Sequence, residues 1–378
     1  MEPLYKGEIT VELILFVLFS IAALLQLWYY LGIFSRLGFY KNKNTNETSF
    51  PASIIICARN EDKNLAEFLP AVLQQDYPRY EVIVVNDCSY DNTADVLKEL
   101  LQKYSHLKIV TIKEDENHYH GKKFALMVGI KGAQYEHLLL TDADCKPNST
   151  DWLKNMVAHF SEETKIVLGY GAYEKTKSFL NKLIRFDTFY AATQYLSFAL
   201  AHKPYMGVGR NLAYTKSLFF SNKGFASHYH IESGDDDLFI NEAATKQNAK
   251  VEVAIESHTV SKAKRTLKSW MRQKRRHITT FPQYTASSRL RFLTVAFSQY
   301  FFFGFFIALL ILQVQPYITL EIFFFRFLIQ MLIFRKSMVK LGEKDLWWWF
   351  PVLEITLLFF YPMLAISNLF VRKRKWKI

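Results

Sequence analysis

Long apolar runs occur near both ends of the chain. Residues 11–34 are apolar for about the 20 residues that a bilayer-spanning helix needs, and an aromatic cluster beginning at Trp28 lies near the end of the run. A cleaved signal peptide is the rival interpretation, but the run is too long and the basic residues from Arg36 onward follow it rather than precede it. The pattern therefore predicts a membrane anchor in residues 1–36, with the following segment in the cytoplasm.

Three further apolar runs lie in the last quarter of the chain, at 292–314, 317–335 and 346–370. Each is long enough, or nearly so, to cross a bilayer. If the middle of the chain is cytoplasmic, three crossings would leave the basic tail 371–378 outside, where positive charge is disfavoured. We therefore expect that one of these runs is not a simple crossing.

Two of the runs carry residues that conflict with a simple crossing. Glu321 and Arg326 are costly in lipid, so 317–335 is the first suspect, as a re-entrant or protein-facing helix. The second suspect is 346–370, which Pro351 and Pro362 can break into a hairpin. The sequence does not choose between them.

Between the ends, short apolar runs alternate with amphipathic ones. The predicted buried strands are rich in Val and Ile and cover 52–58, 81–87, 107–112, 137–142 and 165–170. The predicted helices cover 62–75, 92–104, 122–133 and 149–160. Strands that alternate with helices in this way predict an α/β domain with a mostly parallel sheet, whose ligands bind beyond the carboxyl ends of the strands.

Acidic clusters follow three of the predicted strands. The sharpest is "HLLLTDADCKP", where Asp142 and Asp144 stand two residues apart although their charges repel. A hard divalent cation, Mg²⁺ or Mn²⁺, prefers such oxygen ligands and relieves the repulsion. A pair of this kind is weak evidence alone, because D-x-D also arises by chance and as a helix cap.

Composition narrows the possible partners. The net charge is +12, and residues 261–291 carry many basic residues and no acid, as expected of a patch on anionic lipid headgroups. Nothing in the sequence resembles a nucleic-acid recognition helix or an aromatic RNA-binding sheet motif, so no nucleic-acid partner is predicted.

Two common nucleotide-binding motifs are missing from the sequence. The chain has neither a G-x-G-x-x-G turn after its first strand nor a phosphate-binding P-loop. Three scattered cysteines fit a reducing cytoplasm rather than disulfides or a zinc site.

The order of several short motifs is the more specific signal. In order along the chain they are the A-R-N-E turn from Ala58 to Glu61, "NDCSYDNT" with Asp87, the turn at Gly121 and Lys122, the D-x-D pair, "GVGRNLAY", "ESGDDDLF" and "QKRRH" from Gln273 to His277. This order resembles that of the membrane-integrated family 2 glycosyltransferases, the group that includes cellulose, chitin and hyaluronan synthases and ceramide glucosyltransferases.

The resemblance implies a GT-A fold and an inverting transfer from a nucleotide sugar, with UDP as the expected nucleotide. It also implies a domain division into an anchor (1–36), a GT-A domain (37–260), a basic interfacial segment (261–291) and a C-terminal membrane region (292–378). The enzyme is expected to be an integral protein of the cell membrane, acting on the cell envelope with its catalytic domain in the cytoplasm.

Roles for individual residues follow from the same resemblance. The nucleotide is expected to contact Ala58, Arg59, Glu61, Asp87, Lys122 and Asp142. The cation is expected on Asp142 and Asp144, and the diphosphate or acceptor near Gln273, Arg275, Arg276 and His277. For Glu61 and Asp87 the competing interpretation is turn formation and helix capping, and for Lys122 it is the start of a helix.

Inversion also needs a general base to take the proton of the acceptor hydroxyl. The candidates are Asp235 and Asp236 in a run of three acids that opens a helix. Counting back from Leu238 favours Asp235, whereas the G-D-D form favours Asp236, so both stay open. The alternative to a catalytic role is a structural one, in which the acids cap the helix and interact favourably with its macrodipole.

His277 departs from the family pattern, which has Trp at this place. Loss of the indole argues against a long polymer and for a single transfer to a lipid or glycolipid acceptor. The aromatic segment 179–206 is either a core helix or an interfacial helix near the acceptor. A processive polysaccharide synthase and an inactive membrane scaffold are the alternative functions.

Overall fold

The computed structural model describes residues 10–41, 50–113 and 121–370. In this part of the chain an α/β domain is joined to apolar helices at both ends, which confirms the predicted fold class. The basic tail 371–378 lies outside the described residues, so the interpretation based on its charge has no structural counterpart here.

The strands follow the predicted apolar runs, with additional short ones in the second half of the domain. They are β1 (Ala52–Ala58), β2 (Tyr80–Asp87), β3 (Leu107–Ile112), β4 (His137–Leu140), β5 (Cys145–Pro147), β6 (Ile166–Leu168), β7 (Gly171–Tyr173), β8 (Leu212–Thr215), β9 (Ala249–Val251) and β10 (Thr259–Ser261).

The helices of the described chain alternate with these strands and then form the membrane region. A π-helical segment, Tyr29–Phe34, joins the first two. They are α1 (Val11–Trp28), α2 (Ser35–Gly38), α3 (Asp62–Leu73), α4 (Thr93–Lys103), α5 (Lys122–Gly132), α6 (Trp152–Val157), α7 (Phe179–Leu200), α8 (Lys216–Ser221), α9 (Asp237–Ala243), α10 (Leu267–Ile278), α11 (Ala286–Ile311), α12 (Pro316–Lys340) and α13 (Phe350–Phe370).

The main sheet has seven strands in the order β3-β2-β1-β4-β8-β6-β9. Strands β1 to β4 pair in parallel, whereas β8 runs antiparallel to both β4 and β6. Residues of β1 and β2 are buried nearly throughout, because helices cover both faces of the sheet, as is usual for parallel strands rich in Val and Ile. A smaller sheet, β5-β10-β7, begins at Cys145, directly after the D-x-D pair.

Helices α1, α11 and α12 form a bundle in which α1 runs antiparallel to α11. Phe19 stacks on Phe302 with ring centroids 5.2 Å apart, and Gln26 donates to Ser298 Oγ at 2.6 Å. Four helical segments of the described chain, Val11–Gly38, Ala286–Ile311, Pro316–Lys340 and Phe350–Asn368, are long and apolar enough to cross a membrane.

The first suspect run, 317–335, is a continuous helix whose arginine faces protein. Arg326 is 1% exposed and donates to Gln26 Oε1 at 2.7 Å and to Tyr30 Oη at 3.0 Å, while Glu354 lies 3.5 Å away. It also donates to Gln330. The protein-facing interpretation of 317–335 therefore agrees with these contacts, since the charge is compensated inside the bundle.

The second suspect run does not form a hairpin, so that expectation was wrong. Pro351 lies in the first turn of α13, where its missing N–H needs no partner, and α13 continues past Pro362. The carbonyl four residues earlier, that of Leu358, loses its helical donor and accepts instead from Tyr300 Oη at 3.2 Å. A neighbouring helix thus satisfies the backbone group that proline frees.

Helix α13 leaves the bundle along its length. Its first residue, Phe350, packs on Phe334 of α12. Farther on, Phe360 stacks on Trp270 of α10 at 4.3 Å, and Ser367 accepts from Arg275 Nη2 at 3.0 Å. The second half of α13 therefore lies against the α/β domain rather than beside α12.

Helix α7, within the aromatic segment 179–206, is buried on most sides. Phe189 packs on Phe334 of α12 with ring centroids 5.4 Å apart, and Tyr195 donates to the carbonyl of Gly169 at 2.7 Å. Arg185 pairs with Glu343 at 2.5 Å in the segment that follows α12. Helix α7 is thus a core helix that joins the domain to the bundle.

Candidate active site

The carboxyl ends of β2, β1 and β4 lie side by side, and each continues into one of the predicted motifs. Ala58 at the end of β1 is opposite Asn86 of β2, and Thr141 N–H, just after β4, donates to the carbonyl of Ile55 in β1 at 3.4 Å. This register brings Asp87 and Asp142 to one edge of the sheet. The edge is where ligands bind in open α/β sheets.

The turns after β1 and β2 hold each other in place. Asn60 has a left-handed backbone (φ 58°) and its N–H donates to Ser89 Oγ at 3.0 Å, while Tyr90 N–H donates back to Asn60 Oδ1 at 3.0 Å. Asn tolerates this conformation better than most residues, which explains its place in the A-R-N-E turn. Arg59 is exposed beside it.

Glu61 and Asp87 lie on either side of these interlocked turns. Glu61 accepts from Asn64 Nδ2 at 2.6 Å, and Asp87 is 5% exposed. Burial raises the pKa of Glu61, and the charges of Asp144 and Asp142 act in the same direction. Glu61 is thus within electrostatic reach of the D-x-D pair.

Lys122 is the cation at the centre of the site. As the first residue of α5 it places its ammonium 2.9 Å from Asp142 Oδ1 and 2.9 Å from Asp235 Oδ2. Burial alone would lower its pKa, but the carboxylates of Asp142, Asp235 and Asp236 outweigh burial and hold the pKa well above its ordinary value. Lys122 therefore joins the D-x-D motif to the acidic run 235–237.

The two acids of the D-x-D pair have different environments. Burial would raise the pKa of Asp142, but the ammonium of Lys122 keeps it below its ordinary value. Burial and the charge of Asp142 together raise the pKa of Asp144. The ligand atoms of Asp142, Asp144 and Cys145 all lie within 4.8 Å of one another.

The carboxylates of the D-x-D pair fit a divalent cation. Two oxygen donors this close, one of them with a raised proton affinity caused partly by its neighbour, suit a hard ion such as Mg²⁺ or Mn²⁺. The thiol of Cys145 is buried and its pKa is raised well above its usual value, so it suits a hard ion poorly as a thiolate ligand.

The three consecutive acids at the start of α9 each contact different partners. Asp235 pairs with Lys122, and Asp237 is 9% exposed and accepts from Thr280 Oγ1 at 2.6 Å and Tyr284 Oη at 2.8 Å. Asp236 accepts from the backbone N–H of Gly209 at 2.7 Å and caps α9. Of the three, Asp237 is held by hydroxyl donors on the segment that leads into α11.

Asp236 has the proton affinity of a base that works near neutral pH. Burial is the main cause, followed by the charges of Asp235 and Asp237, and together they raise the pKa of Asp236 to about 7. Asp236 also lines a narrow pocket at the sheet edge. The pocket is lined by Ile55, Cys57, Lys122, Leu126, Leu140, Thr141, Asp142, Gly209, Asp235 and Asp236.

Helix α10 presents the QKRRH motif on two faces. Gln273 Nε2 donates weakly to Tyr173 Oη at 3.4 Å, and Arg276 contributes electrostatically to Asp142. Helical spacing places His277 on the same side, one turn after Gln273. Arg275 instead points to Ser367 of α13, so the structure does not bring it together with the other three.

The sequence analysis did not single out Arg210, which lies next to the D-x-D pair. Its guanidinium lies over the ring of Tyr173 at 4.2 Å, and its charge acts on both Asp142 and Asp144. The only local signal for Arg210 was its position in the "GVGRN" segment, which the sequence analysis used only as a G-x-G motif. Its proximity to the acids depends on long-range strand pairing.

The arrangement can carry out a definite kind of chemistry. An acid pair able to hold a cation, a lysine and an arginine that favour anions, and a carboxylate with a pKa of about 7 share one edge of the sheet. Such a set can bind a diphosphate and accept a proton from a hydroxyl beside it.

Comparison with known families agrees with this description. Residues 53–220 match the family model described as glycosyl transferase family 2. This stretch contains β1 to β8 and the D-x-D pair but not the acidic run 235–237 or α10.

Curated relatives match over parts of their length. Poly-beta-1,6-N-acetyl-D-glucosamine synthase of Staphylococcus epidermidis is 33% identical over 111 residues, which cover 29% of this chain and 25% of that protein. 4,4'-Diaponeurosporenoate glycosyltransferase of Staphylococcus haemolyticus is 32% identical over 124 residues, or 33% of this chain and 32% of that protein. The matched stretches thus span a quarter to a third of these relatives.

A solved structure matches over most of the chain. A mannosyltransferase from Pyrobaculum calidifontis, in complex with GDP-mannose and Mn²⁺, superposes with a TM-score of 0.57 at 18% identity, covering 88% of this chain and 99% of that one. The fold is therefore that of a GT-A-type glycosyltransferase with membrane helices. The family match itself is confined to the stretch 53–220, which carries a domain of the glycosyl transferase family 2 type.

Proposed function

We propose that this enzyme transfers a sugar, with inversion, from a nucleoside diphosphate sugar to a lipid acceptor in the membrane. The observation that carries the proposal is the meeting of the D-x-D pair, Lys122 and Asp236 around one pocket. A cation site next to a carboxylate whose pKa is about 7 suits departure of a diphosphate on one side and proton removal on the other.

The nucleotide end of the donor occupies the turns after β1 and β2. Ala58, Arg59, Glu61 and Asp87 contact the base and ribose, since they border the sheet edge at which Asp142 lies. Support comes from the Mn²⁺ and GDP-mannose bound to the structurally similar mannosyltransferase, although UDP is the nucleotide that the family resemblance implies.

Asp142 and Asp144 are the residues that would hold Mg²⁺ or Mn²⁺. A bound cation neutralises charge that builds on the departing nucleoside diphosphate. Lys122 adds a positive charge at the same edge and keeps Asp142 ionised, so the acid is ready to act as a ligand. Metal dependence follows from this assignment.

Asp236 is the general base. It takes the proton of the acceptor hydroxyl while the hydroxyl oxygen bonds to the anomeric carbon and the bond from that carbon to the phosphate oxygen breaks. Asp235 is the alternative, but its carboxylate is ion-paired with Lys122, which favours a role in holding that lysine. The nucleoside diphosphate leaves with the electrons of the broken bond.

Helix α10 closes the diphosphate side of the site. Gln273, Arg276 and His277 share one face of the helix, with Arg276 as the charged diphosphate contact. The helix also rests on α13, where Trp270 stacks on Phe360. Arg275 contacts α13 and acts on the site only by holding this helix in place.

The acceptor comes from the membrane. Helices α1, α11 and α12 cross the bilayer, and α13 lies along its cytoplasmic surface, because its second half packs on α7 and α10. This arrangement keeps the end of α13 on the same side as the domain, which agrees with the positive-inside rule for the basic sequence that follows. A reporter fused after His277 and one fused at the C-terminus are both expected in the cytoplasm, and finding them on opposite sides would contradict it.

A processive polysaccharide synthase is the second candidate function. It is favoured by the similarity to a protein named as a poly-N-acetylglucosamine synthase. A single transfer is preferred because His277 replaces the indole of the family motif and because α7 is packed into the core rather than open to a growing chain. An inactive scaffold is disfavoured, since the metal-binding pair and the base are all present.

The test is transfer by purified full-length protein in lipid nanodiscs. UDP-glucose, UDP-N-acetylglucosamine and GDP-mannose are supplied with and without Mn²⁺, and release of the nucleoside diphosphate is measured. Mass spectrometry of lipids from cells with and without the active chain is expected to show one hexose or N-acetylhexosamine increment. A polymer ladder would support the synthase, and no release with any donor would support the scaffold.

A further inference from the structure

Arg210 is fixed at the junction of the main sheet, the small sheet and α10. Its Nη1 donates to the carbonyl of Ala172 at 3.2 Å and to Ser261 Oγ at 3.0 Å. Its backbone carbonyl accepts from Thr141 Oγ1 at 2.9 Å, one residue before the D-x-D pair. The backbone of Arg210 is thus tied to the strand end that carries the D-x-D pair, and its guanidinium is held by the neighbouring strands β7 and β10.

The side chain of Arg210 packs closely against the backbone of Gly171 on the small-sheet side. A Cβ at Gly171 would lie 3.0 Å from the Cβ of Arg210 and 3.2 Å from its Nε. Tyr173, whose ring lies under the guanidinium, also receives the hydrogen bond of Gln273 from α10. Arg210 is thus packed between the D-x-D pair and the diphosphate-binding helix.

Within the described part of the chain, the cation of Arg210 has only neutral hydrogen-bond partners. It pairs with no carboxylate there, and its Nε and Nη2 have no acceptor among those residues. The D-x-D acids compensate its charge through space, since its charge acts on both of them. A cation bound to those acids would remove this compensation and face a fixed positive charge.

We propose that Arg210 couples the two halves of donor binding: it opposes binding of the divalent cation alone and binds the diphosphate oxygens through its free Nε and Nη2. This inference rests on the proposed transfer from a nucleotide sugar and adds a residue role to it. The divalent cation then binds together with the donor rather than before it.

The physical reason is the balance of charge. With the cation on Asp142 and Asp144, Arg210 repels it unless an anion lies between them. The donor diphosphate supplies that anion and accepts charge-assisted hydrogen bonds from the guanidinium fork. Metal and nucleoside diphosphate therefore stabilise each other's binding by the same factor, as linkage requires.

The experiment measures binding rather than turnover. Free Mn²⁺ is followed by its electron paramagnetic resonance signal, and UDP and GDP by titration calorimetry, on the full-length protein in nanodiscs. Arg210→Gln is expected to bind Mn²⁺ alone roughly tenfold more tightly than the wild type, because the repelling charge is gone. The same variant is expected to bind the nucleoside diphosphate in Mn²⁺ about 10- to 100-fold more weakly.

Two further variants separate this role from a structural one. Arg210→Lys keeps the charge but loses the fork, so its Mn²⁺ affinity is expected to stay near that of the wild type while its diphosphate affinity falls in part. Arg79→Gln removes an exposed arginine at the opposite end of β2 and controls for net charge. Thermal unfolding of each variant reports whether the fold is retained.

The outcomes are distinguishable. Opposite changes of the two affinities in Arg210→Gln, absent from Arg79→Gln, support the coupling. Parallel weakening of both affinities, or Mn²⁺ affinity unchanged in Arg210→Gln, would overturn it. Tighter Mn²⁺ binding in a protein that binds neither UDP nor GDP would contradict the proposed function while leaving the repulsion intact, and the diphosphate half of the inference would fall with it.

Discussion

Two buried polar clusters of this molecule differ in how their charges are compensated. The bundle network lies among the membrane helices and consists of Gln26, Gln299, Arg326, Gln330 and Glu354. The acidic pocket lies at the sheet edge and consists of Lys122, Asp142, Asp144, Asp235 and Asp236.

In the bundle network one cation faces one anion, and side-chain amides supply hydrogen-bond partners to both. Glu354 Oε1 accepts from Gln299 Nε2 at 2.9 Å and from Gln330 Nε2 at 2.7 Å. In the acidic pocket four carboxylates face the ammonium of Lys122, and the nearby guanidinium of Arg210 acts on only two of them, Asp142 and Asp144. The balanced cluster fits a structural role, and the unbalanced one is suited to bind a cation and to exchange a proton.

The largest effect is expected from removing a carboxylate of the acidic pocket. Asp144→Ala should abolish transfer, and no concentration of Mg²⁺ or Mn²⁺ should restore it, because Asp142 alone cannot hold a cation against water. Release of nucleoside diphosphate over a metal titration measures this. Asp151→Ala, outside the pocket, is the matched control, and retained activity in Asp144→Ala would overturn the metal assignment.

Removing the cation of the bundle network should act on stability instead. Arg326→Met leaves Glu354 buried without its cation, which costs about 3–5 kcal/mol when a buried pair is broken. The double variant Arg326→Met with Glu354→Gln should recover part of the loss. Thermal unfolding in nanodiscs checks both, with the exposed Arg289→Met as control. A double variant less stable than the single one would contradict a balanced pair.

The pH dependence of transfer should follow the raised pKa of Asp236. A general base works when deprotonated, so turnover should rise about tenfold per pH unit below about 7 and level off above it. The free energy of unfolding should change with pH in the opposite direction. Because the folded-state pKa is raised above the unfolded one, the stability that the protonated form contributes is complete below about 4 and is lost as pH rises through 7.

Asp236→Asn tests that sign directly. At pH 8 the variant should unfold at a higher temperature than the wild type, because a crowded buried carboxylate has been replaced by a neutral group. The difference should shrink as the pH falls below 7. A variant that is less stable than the wild type at pH 8 would show that the carboxylate is not under electrostatic strain.

The smallest effect is expected at the proline of α13. Tyr300→Phe removes the donor to the carbonyl of Leu358 and should cost about 1 kcal/mol of stability, the usual contribution of one hydrogen bond. Transfer per folded molecule should be unchanged. An equal loss in the background Pro362→Ala, where the helical N–H returns, would argue against this pairing.

The parts of the fold set by local pattern could be predicted from the sequence. The first four strands and the helices between them lie within a few residues of the apolar and amphipathic runs. The short strand β8, which runs antiparallel between β4 and β6, was missed because four residues give little periodicity. The packing of the second half of α13 on the α/β domain was also not predicted, because apolar composition does not distinguish a helix that crosses a bilayer from one that rests on a domain.

The candidate site was predicted as a set of residues but not as a set of contacts. The motifs follow strands that the register brings together, so their meeting could be expected. The pairing of Lys122 with Asp235 and the contacts of Asp236 and Asp237 depend on residues at least 27 positions apart. Arg210 was missed for the same reason.

The central claim is that Asp236 is the base of an inverting transferase. The most direct measurement compares turnover and donor affinity for Asp235→Asn and Asp236→Asn, using the donor that the wild type accepts. We expect Asp236→Asn to bind the donor nearly as well as the wild type and to lose turnover by roughly 10² to 10⁴, with a much smaller loss for Asp235→Asn. Near-full turnover in both variants would mean that the acidic run only caps α9 and would contradict the mechanism.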